Sequence, residues 1–381
     1  TQVILRNPSQ RFESVKIRAG AARYDHTEFE APGIAGTVFK NDEYQARVEA
    51  VHKAIGGFRG VAGLQLSLRD FAAIGDEAYV PNVKTRQAGL FVVEERDTIL
   101  GRTELGARID HVEHKHEDTA TPSRQFTPVS LSLGTVYPIG SDTHVKAALT
   151  HAERAPATEE LYAEGAHIAT GTFETGNSNL KKERALNLDI GMDHHVGPLT
   201  LEASVYQKQV SDYIYGQEPG TQTDGFIDLN YQQQDAEFRG YETSVTWALR
   251  DQQNQKVDAR VFADAVRGEL NDGNAVPRMP PYRVGISLHG HQGALSGNIS
   301  LTHAARQDRV GSVAETETAS YNLLNADLSY AIRQRIGFGH ATVFLRGTNL
   351  LNDDIRRSTS FIKDVAPAPG RGGVIGIRFN F

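Results

Sequence analysis

The sequence predicts an all-β chain folded as a transmembrane antiparallel β-barrel. Two observations carry that prediction: apolar residues recur at every second position, and the connections between such runs switch regularly between short and long. Along the chain, Val145, Ala147 and Leu149 alternate with His144, Lys146 and Thr150. Leu199, Leu201, Ala203 and Val205 alternate with Thr200, Glu202 and Ser204. Val257, Ala259, Val261, Ala263 and Ala265 face away from Asp258, Arg260 and Asp264, and Leu324, Ala326, Leu328 and Tyr330 away from Asn325, Asp327 and Ser329. A period of two means strands with one apolar and one polar face. No comparably long segment has a period of 3.6, so helices are minor elements at most.

The connections are the second observation. Short ones fall near 97–98, 140–141, 195–198, 251–254, 291–293 and 334–339. Between them lie long ones at 73–85, 113–124, 155–180, 216–234, 270–280, 307–317 and 353–370. A soluble sandwich or propeller has no reason to sort its loops in this way, whereas an outer-membrane barrel has tight periplasmic turns and long external loops. This reading gives about 17 strands, from a partial one at 3–5 to a last one at 373–381, all in one domain spanning 1–381.

Composition agrees without deciding. Of 381 residues, 39% are hydrophobic and 23% charged, and the mean hydropathy is −0.41. No stretch approaches the roughly 18 apolar residues that a membrane-spanning helix needs. A barrel shows the same statistics, because only alternate residues face lipid. There is no cysteine, which excludes disulfides and thiolate metal sites and suits a chain that crosses an oxidising periplasm. A net charge of −7 argues against nucleic acid as a partner. Trp247, Tyr282 and Tyr330 read as residues of an interfacial belt.

The last strand carries its own marker. Ile375, Ile377, Phe379 and Phe381 alternate with Gly376, Arg378 and Asn380, and the chain stops on Phe381. A terminal aromatic on an apolar face resembles the signal read by the barrel-assembly machinery, which makes Phe379 and Phe381 the candidate assembly signal.

The stretch from His151 to Gly191 resembles the TonB-dependent outer-membrane receptors. It holds an Arg-Ala-Pro box at Arg154, Ala155 and Pro156, then Glu159, Glu160, Leu161 and Tyr162. A spacer rich in glycine and threonine leads to an Asn-Leu box, Gly176 to Leu180, and to a strand with Glu183, Asn187 and Gly191 at four-residue spacing. Near the end, Arg346 to Asn352 resembles the family's penultimate-strand motif. The matches span roughly 150–381; upstream only the strand and loop rhythm agrees. The resemblance implies a bacterial outer-membrane location, a TonB complex as partner, and energised uptake of a scarce, large or metal-bearing nutrient. It also implies a barrel of about 22 strands around a plug. No plug or TonB-box-like segment is visible here, so the chain is expected to be a C-terminal barrel portion, and the missing region would carry the coupling segment and part of any binding site.

Three features bear on the cargo. His111, His114 and His116, with Asp118, lead into a predicted external loop, and imidazole with carboxylate suits zinc. In an extended chain His114, His116 and Asp118 share a side, while His111 needs a turn to join them; a solvated polar loop is the plain alternative. His167 lies between the two boxes, where haem receptors of this family place an axial histidine, and imidazole is a usual haem ligand. Arg154, Tyr162, Asn177 and Asn179 complete the candidate ligand-binding loop. No dense cluster of aromatic and basic side chains of the siderophore-pocket kind is evident around Tyr213 and Tyr215. The expectation is zinc as cargo, with haem or a ferric siderophore as alternatives and a passive porin less favoured. An enzyme is not expected: Ser130, Ser132 and His144 are ordinary neighbours in a polar lumen, and no Gly-x-Ser-x-Gly elbow occurs.

Overall fold

The computed structural model describes residues 1–75, 78–118, 121–336 and 339–380; Phe381 lies outside the described residues. They form one sheet of 21 strands. From the N-terminus run β1 (Gln2–Arg6), β2 (Phe12–Ala31), β3 (Ile34–Ile55), β4 (Phe58–Gly75), β5 (Val83–Thr98), β6 (Gly101–His116), β7 (Arg124–Phe126), β8 (Val129–Ile139) and β9 (Thr143–Arg154). A five-residue helix, α1 (Thr158–Tyr162), precedes β10 (Glu164–His167), β11 (Thr172–Thr175), β12 (Glu183–Val196), β13 (Leu199–Gln217), β14 (Gln222–Thr223), β15 (Phe226–Gln252) and β16 (Gln255–Leu270). The chain ends with β17 (Arg283–Gln292), β18 (Leu295–Ala304), β19 (Tyr321–Ile336), β20 (Gly339–Thr348) and β21 (Gly372–Asn380).

Strands β7, β10, β11 and β14 are two to four residues long and belong to the loops. The other seventeen make the wall, and each pairs antiparallel with its neighbour in chain order. The expected strand count therefore holds for the wall. No helix among the described residues is long and apolar enough to cross a membrane.

Alternation sets what each face carries. On β12, Leu186, Leu188, Ile190 and Met192 all point outward. Their row continues through Val205, Tyr241, Val245 and Trp247, and on to Ile286, Leu288, Ile299, Leu301, Leu328 and Tyr330. This apolar exposure is the belt a barrel turns to lipid. The inner face holds ion pairs instead. Arg18 and Arg47 share Glu49, Arg108 grips Asp110 at 2.6 Å, and Arg154 holds Glu183 at 2.6 Å.

Several strands run further than the alternation suggested. The predicted loop at 216–234 is largely ladder, because Tyr213 to Gln217 pair with Gln234 to Asn230. Likewise β6 continues to His116 and β5 starts at Val83. Beyond the bilayer both faces of a strand meet water or other loops, so the apolar signal fades while the backbone hydrogen bonds continue. Buried apolar residues gather at this outer end. One cluster contains Val83, Phe126, Leu161, Tyr162, Leu180 and Ile214; a second contains Ala236, Leu270 and Val276.

In the penultimate-strand motif β20 is followed at once by Asn349, whose φ is +46°. Asparagine tolerates this left-handed conformation better than most residues. Its side chain, nearly fully buried, donates to the carbonyls of Asp353 and Pro369 and accepts from the Asp353 amide. One side chain thus closes the return from β20 towards β21.

Candidate functional site

The two boxes meet at the outer end of β9. Arg154, the last residue of β9, forks onto Glu160 with contacts of 2.8 and 3.0 Å and donates through Nε to Glu183 at 2.6 Å. Glu160 also accepts the Ala157 amide at the start of α1. The Asn-Leu box then lies against the end of the helix. The Gly176 amide donates to the Ala163 carbonyl at 2.6 Å and the Asn177 amide to the Glu160 carbonyl at 2.8 Å. A β-carbon at Gly176 would stand 2.6 Å from the Tyr162 nitrogen, so the approach requires glycine. Leu161 and Leu180 are fully buried beneath this junction, each contributing about 2 kcal/mol through removal from water.

Four residues expected to bind ligand serve this junction. Arg154 is held by two carboxylates, and the Tyr162 hydroxyl donates to the Pro122 carbonyl. Asn177 accepts the Asn179 amide across a tight turn. The Arg154 guanidinium, the Tyr162 hydroxyl and the Asn177 side-chain oxygen are thus used in anchoring the loop.

What lies beyond is the hairpin of β10 and β11, which carries His167. Its Nδ1 is 2.7 Å from Glu174 Oε1. Glu174 is itself buried and accepts the Tyr231 hydroxyl at 3.0 Å and the Thr172 hydroxyl at 3.3 Å. Tyr79 stacks on the imidazole, with ring centres 4.1 Å apart and planes inclined by 10°. The hairpin is held by the Glu164 amide on the Tyr79 carbonyl and by β11, which runs parallel to β15 with Glu174 opposite Leu229. A carboxylate can only accept, so Nδ1 carries the proton and the neutral ring keeps its lone pair on Nε2. Nothing among the described residues bonds to Nε2. Burial and the neighbouring Glu174 push the Tyr79 phenol up to about 12, so it remains neutral at physiological pH. Burial and Glu174 raise Tyr231 in the same sense.

Sequence reasoning found His167 and missed Tyr79, Thr172, Glu174 and Tyr231. Thr172 and Glu174 stand on one side of a short strand, which was a weak local signal. Tyr79 comes from the loop before β5 and Tyr231 from β15, and neither carried one.

The histidines of β6 do not assemble as expected. His114 and His116 point inward, but His111, opposite Ala88 on β5, lies on the other face. The strand continues through all three, and its two-residue period leaves no turn to bring His111 round. His114 is buried; its Nδ1 accepts from Thr85 at 3.0 Å and its Nε2 donates to the Pro156 carbonyl at 3.1 Å. Burial holds its pKa below the ordinary imidazole value. His116 accepts the Asp118 amide at 2.9 Å and packs edge-on against Tyr162. Among the described residues no group of three or more His, Asp or Glu side chains is placed to hold a metal ion. At the other end, Phe379 faces outward opposite Ala341, in line with Ile375 and Ile377.

Residues 7–350 match a family model described as TonB dependent receptor-like, beta-barrel. Among solved structures, the copper transporter OprC superposes with a TM-score of 0.80 at 19% identity, over 99% of this chain and 64% of that one. The FrpB iron transporter from Neisseria meningitidis gives 0.70 at 13% identity, over 96% and 60%. A mutant of the ferric enterobactin receptor PfeA from Pseudomonas aeruginosa gives 0.66 at 15%, over 99% and 60%. At these identities the likeness is one of fold, and the chain spans less than two thirds of each of these proteins.

Proposed function

The chain belongs to the TonB-dependent receptor-like β-barrel family, and on that premise we propose that it forms the wall and outer loops of a receptor that takes up a metal chelate, with His167 as the metal-contacting residue. The barrel's place is the bacterial outer membrane, and the proteins it matches are transporters and receptors, not enzymes. Uptake through a TonB complex is part of the proposal, as is the class of cargo; the neighbours are named for copper, iron and ferric enterobactin.

The observation that carries the reading is the His167–Glu174 contact. A metal-ligating histidine ordinarily gives its second N–H to a carboxylate or carbonyl, which fixes the tautomer and raises the basicity of the ligating nitrogen. His167 has this arrangement, and Tyr79 holds the plane of the ring. A single oriented imidazole suits a metal that arrives with most of its ligands and an open position, as haem does. It does not suit a bare zinc ion, which prefers four protein ligands. Zinc, the expectation from the histidine-rich segment, draws no support from a geometry in which both His114 nitrogens are used and His111 faces away.

The test is a titration of the detergent-purified chain with haemin, followed by Soret absorbance, and separately with zinc, followed by metal mass spectrometry. Haemin should bind one to one, and His167→Ala should abolish its spectral signature. Stoichiometric zinc that survives His167→Ala, with no haemin spectrum, would overturn the assignment.

A further inference from the structure

On the lipid-facing wall, Arg239 of β15 and Arg267 of β16 stand directly opposite one another in the ladder. Like charges in direct register repel, and strands ordinarily avoid the arrangement. Their side chains are 69% and 65% exposed. Both lie on the face that carries Tyr241, Val245, Trp247 and Val261, at the outer limit of the apolar belt. One row inward the ladder reads Ile190, Val205, Tyr241 and Ala265. These four line a groove of 540 Å³ that runs up to the two arginines. The small Ala265 leaves the depression between its larger neighbours. One row outward, Glu237 stands opposite Glu269. Each carboxylate bridges the arginine of its own strand, Arg267 to Glu269 at 3.0 Å. Arg309, from the loop between β18 and β19, reaches Glu269 at 3.4 Å. Three guanidinium groups therefore face two carboxylates.

We infer that this face is a binding site for a phosphate-bearing lipid of the outer leaflet, with one acyl chain in the groove and the phosphate between Arg239 and Arg267. The order of the rows supports this. Apolar residues, then the paired arginines, then the carboxylates follow the outward order of acyl chain, phosphate and water. The guanidinium fork matches phosphate geometry, and an anion between the two arginines removes their repulsion. The carboxylates hold the forks from the solvent side, which leaves the bilayer side of each arginine to the ligand. The inference rests on the barrel and its belt, so its failure would leave the reading of His167 untouched.

The experiment uses the full chain, delipidated in detergent and titrated by native mass spectrometry with bis-phosphorylated lipid A and with the same lipid dephosphorylated. A one-to-one adduct should form with the phosphorylated lipid at least tenfold more tightly than with the dephosphorylated one. Arg239→Gln with Arg267→Gln should remove that preference, whereas Arg250→Gln, at the far end of β15, should keep it. Ala265→Trp fills the groove without changing a charge and should weaken the adduct by a similar factor. Equal binding of the two lipids by the unaltered chain would overturn the inference, and so would full binding by the double variant or by Ala265→Trp. Displacement of the adduct by millimolar inorganic phosphate would assign the arginines to a free anion and would overturn the lipid site as well.

Discussion

Nδ1 of His167 lies 2.7 Å from the carboxylate of Glu174, and among the described residues nothing bonds to the other ring nitrogen. If Glu174 is what makes His167 a competent ligand, Glu174→Gln should weaken metal-chelate binding by about 10- to 100-fold, as loss of such a supporting group commonly does. His167→Ala should abolish it. A haemin titration of both variants checks this, and unchanged affinity in Glu174→Gln would show that the carboxylate serves only the hairpin.

His114 gives a pH dependence of definite sign. Its pKa is depressed by burial, so the unfolded chain binds the proton more readily than the folded one. Stability at the junction of β6 with Pro156 is therefore complete above the unfolded value of about 6.5 and is lost as pH falls through and below it. Limited proteolysis between pH 7.5 and 5 should show the 155–180 loop opening on acidification. His114→Gln should flatten that profile.

Gly176 permits the Asn-Leu box to touch the end of α1. Gly176→Ala places a methyl group 2.6 and 2.7 Å from the Tyr162 and Ala163 nitrogens, which are backbone atoms that cannot swing aside. The expected cost is about 1–3 kcal/mol, concentrated in the loop. The wall should keep its heat-resistant mobility on gels while the 158–180 segment becomes protease-sensitive.

Asn349 closes the outer end of β20 with three side-chain hydrogen bonds from a left-handed backbone. Asn349→Ala loses all three and puts a residue less tolerant of the left-handed conformation at this position, at about 2–4 kcal/mol. Asn349→Asp keeps the acceptor and should fall between. The temperature at which the folded band disappears on a gel ranks the three proteins.

The wall was legible in the sequence because the signal for it is local. Each strand residue reports its own face, and Leu186, Leu188 and Ile190 point to lipid whatever the neighbouring strand does. The two boxes were legible too, as a motif, and the loop they bracket is the one that presents His167. Tertiary structure decided what the boxes do and what surrounds His167. Arg154 looked like a ligand and is held by Glu160 and Glu183; His111, His114 and His116 looked like a cluster and are divided between two faces. Glu174 and Tyr79 reach His167 from β11 and the loop before β5, and Tyr231 reaches Glu174 from the outer extension of β15. Their meeting depends on strand register and on how the outer loops fold over one another, which are long-range properties that a two-residue period does not encode.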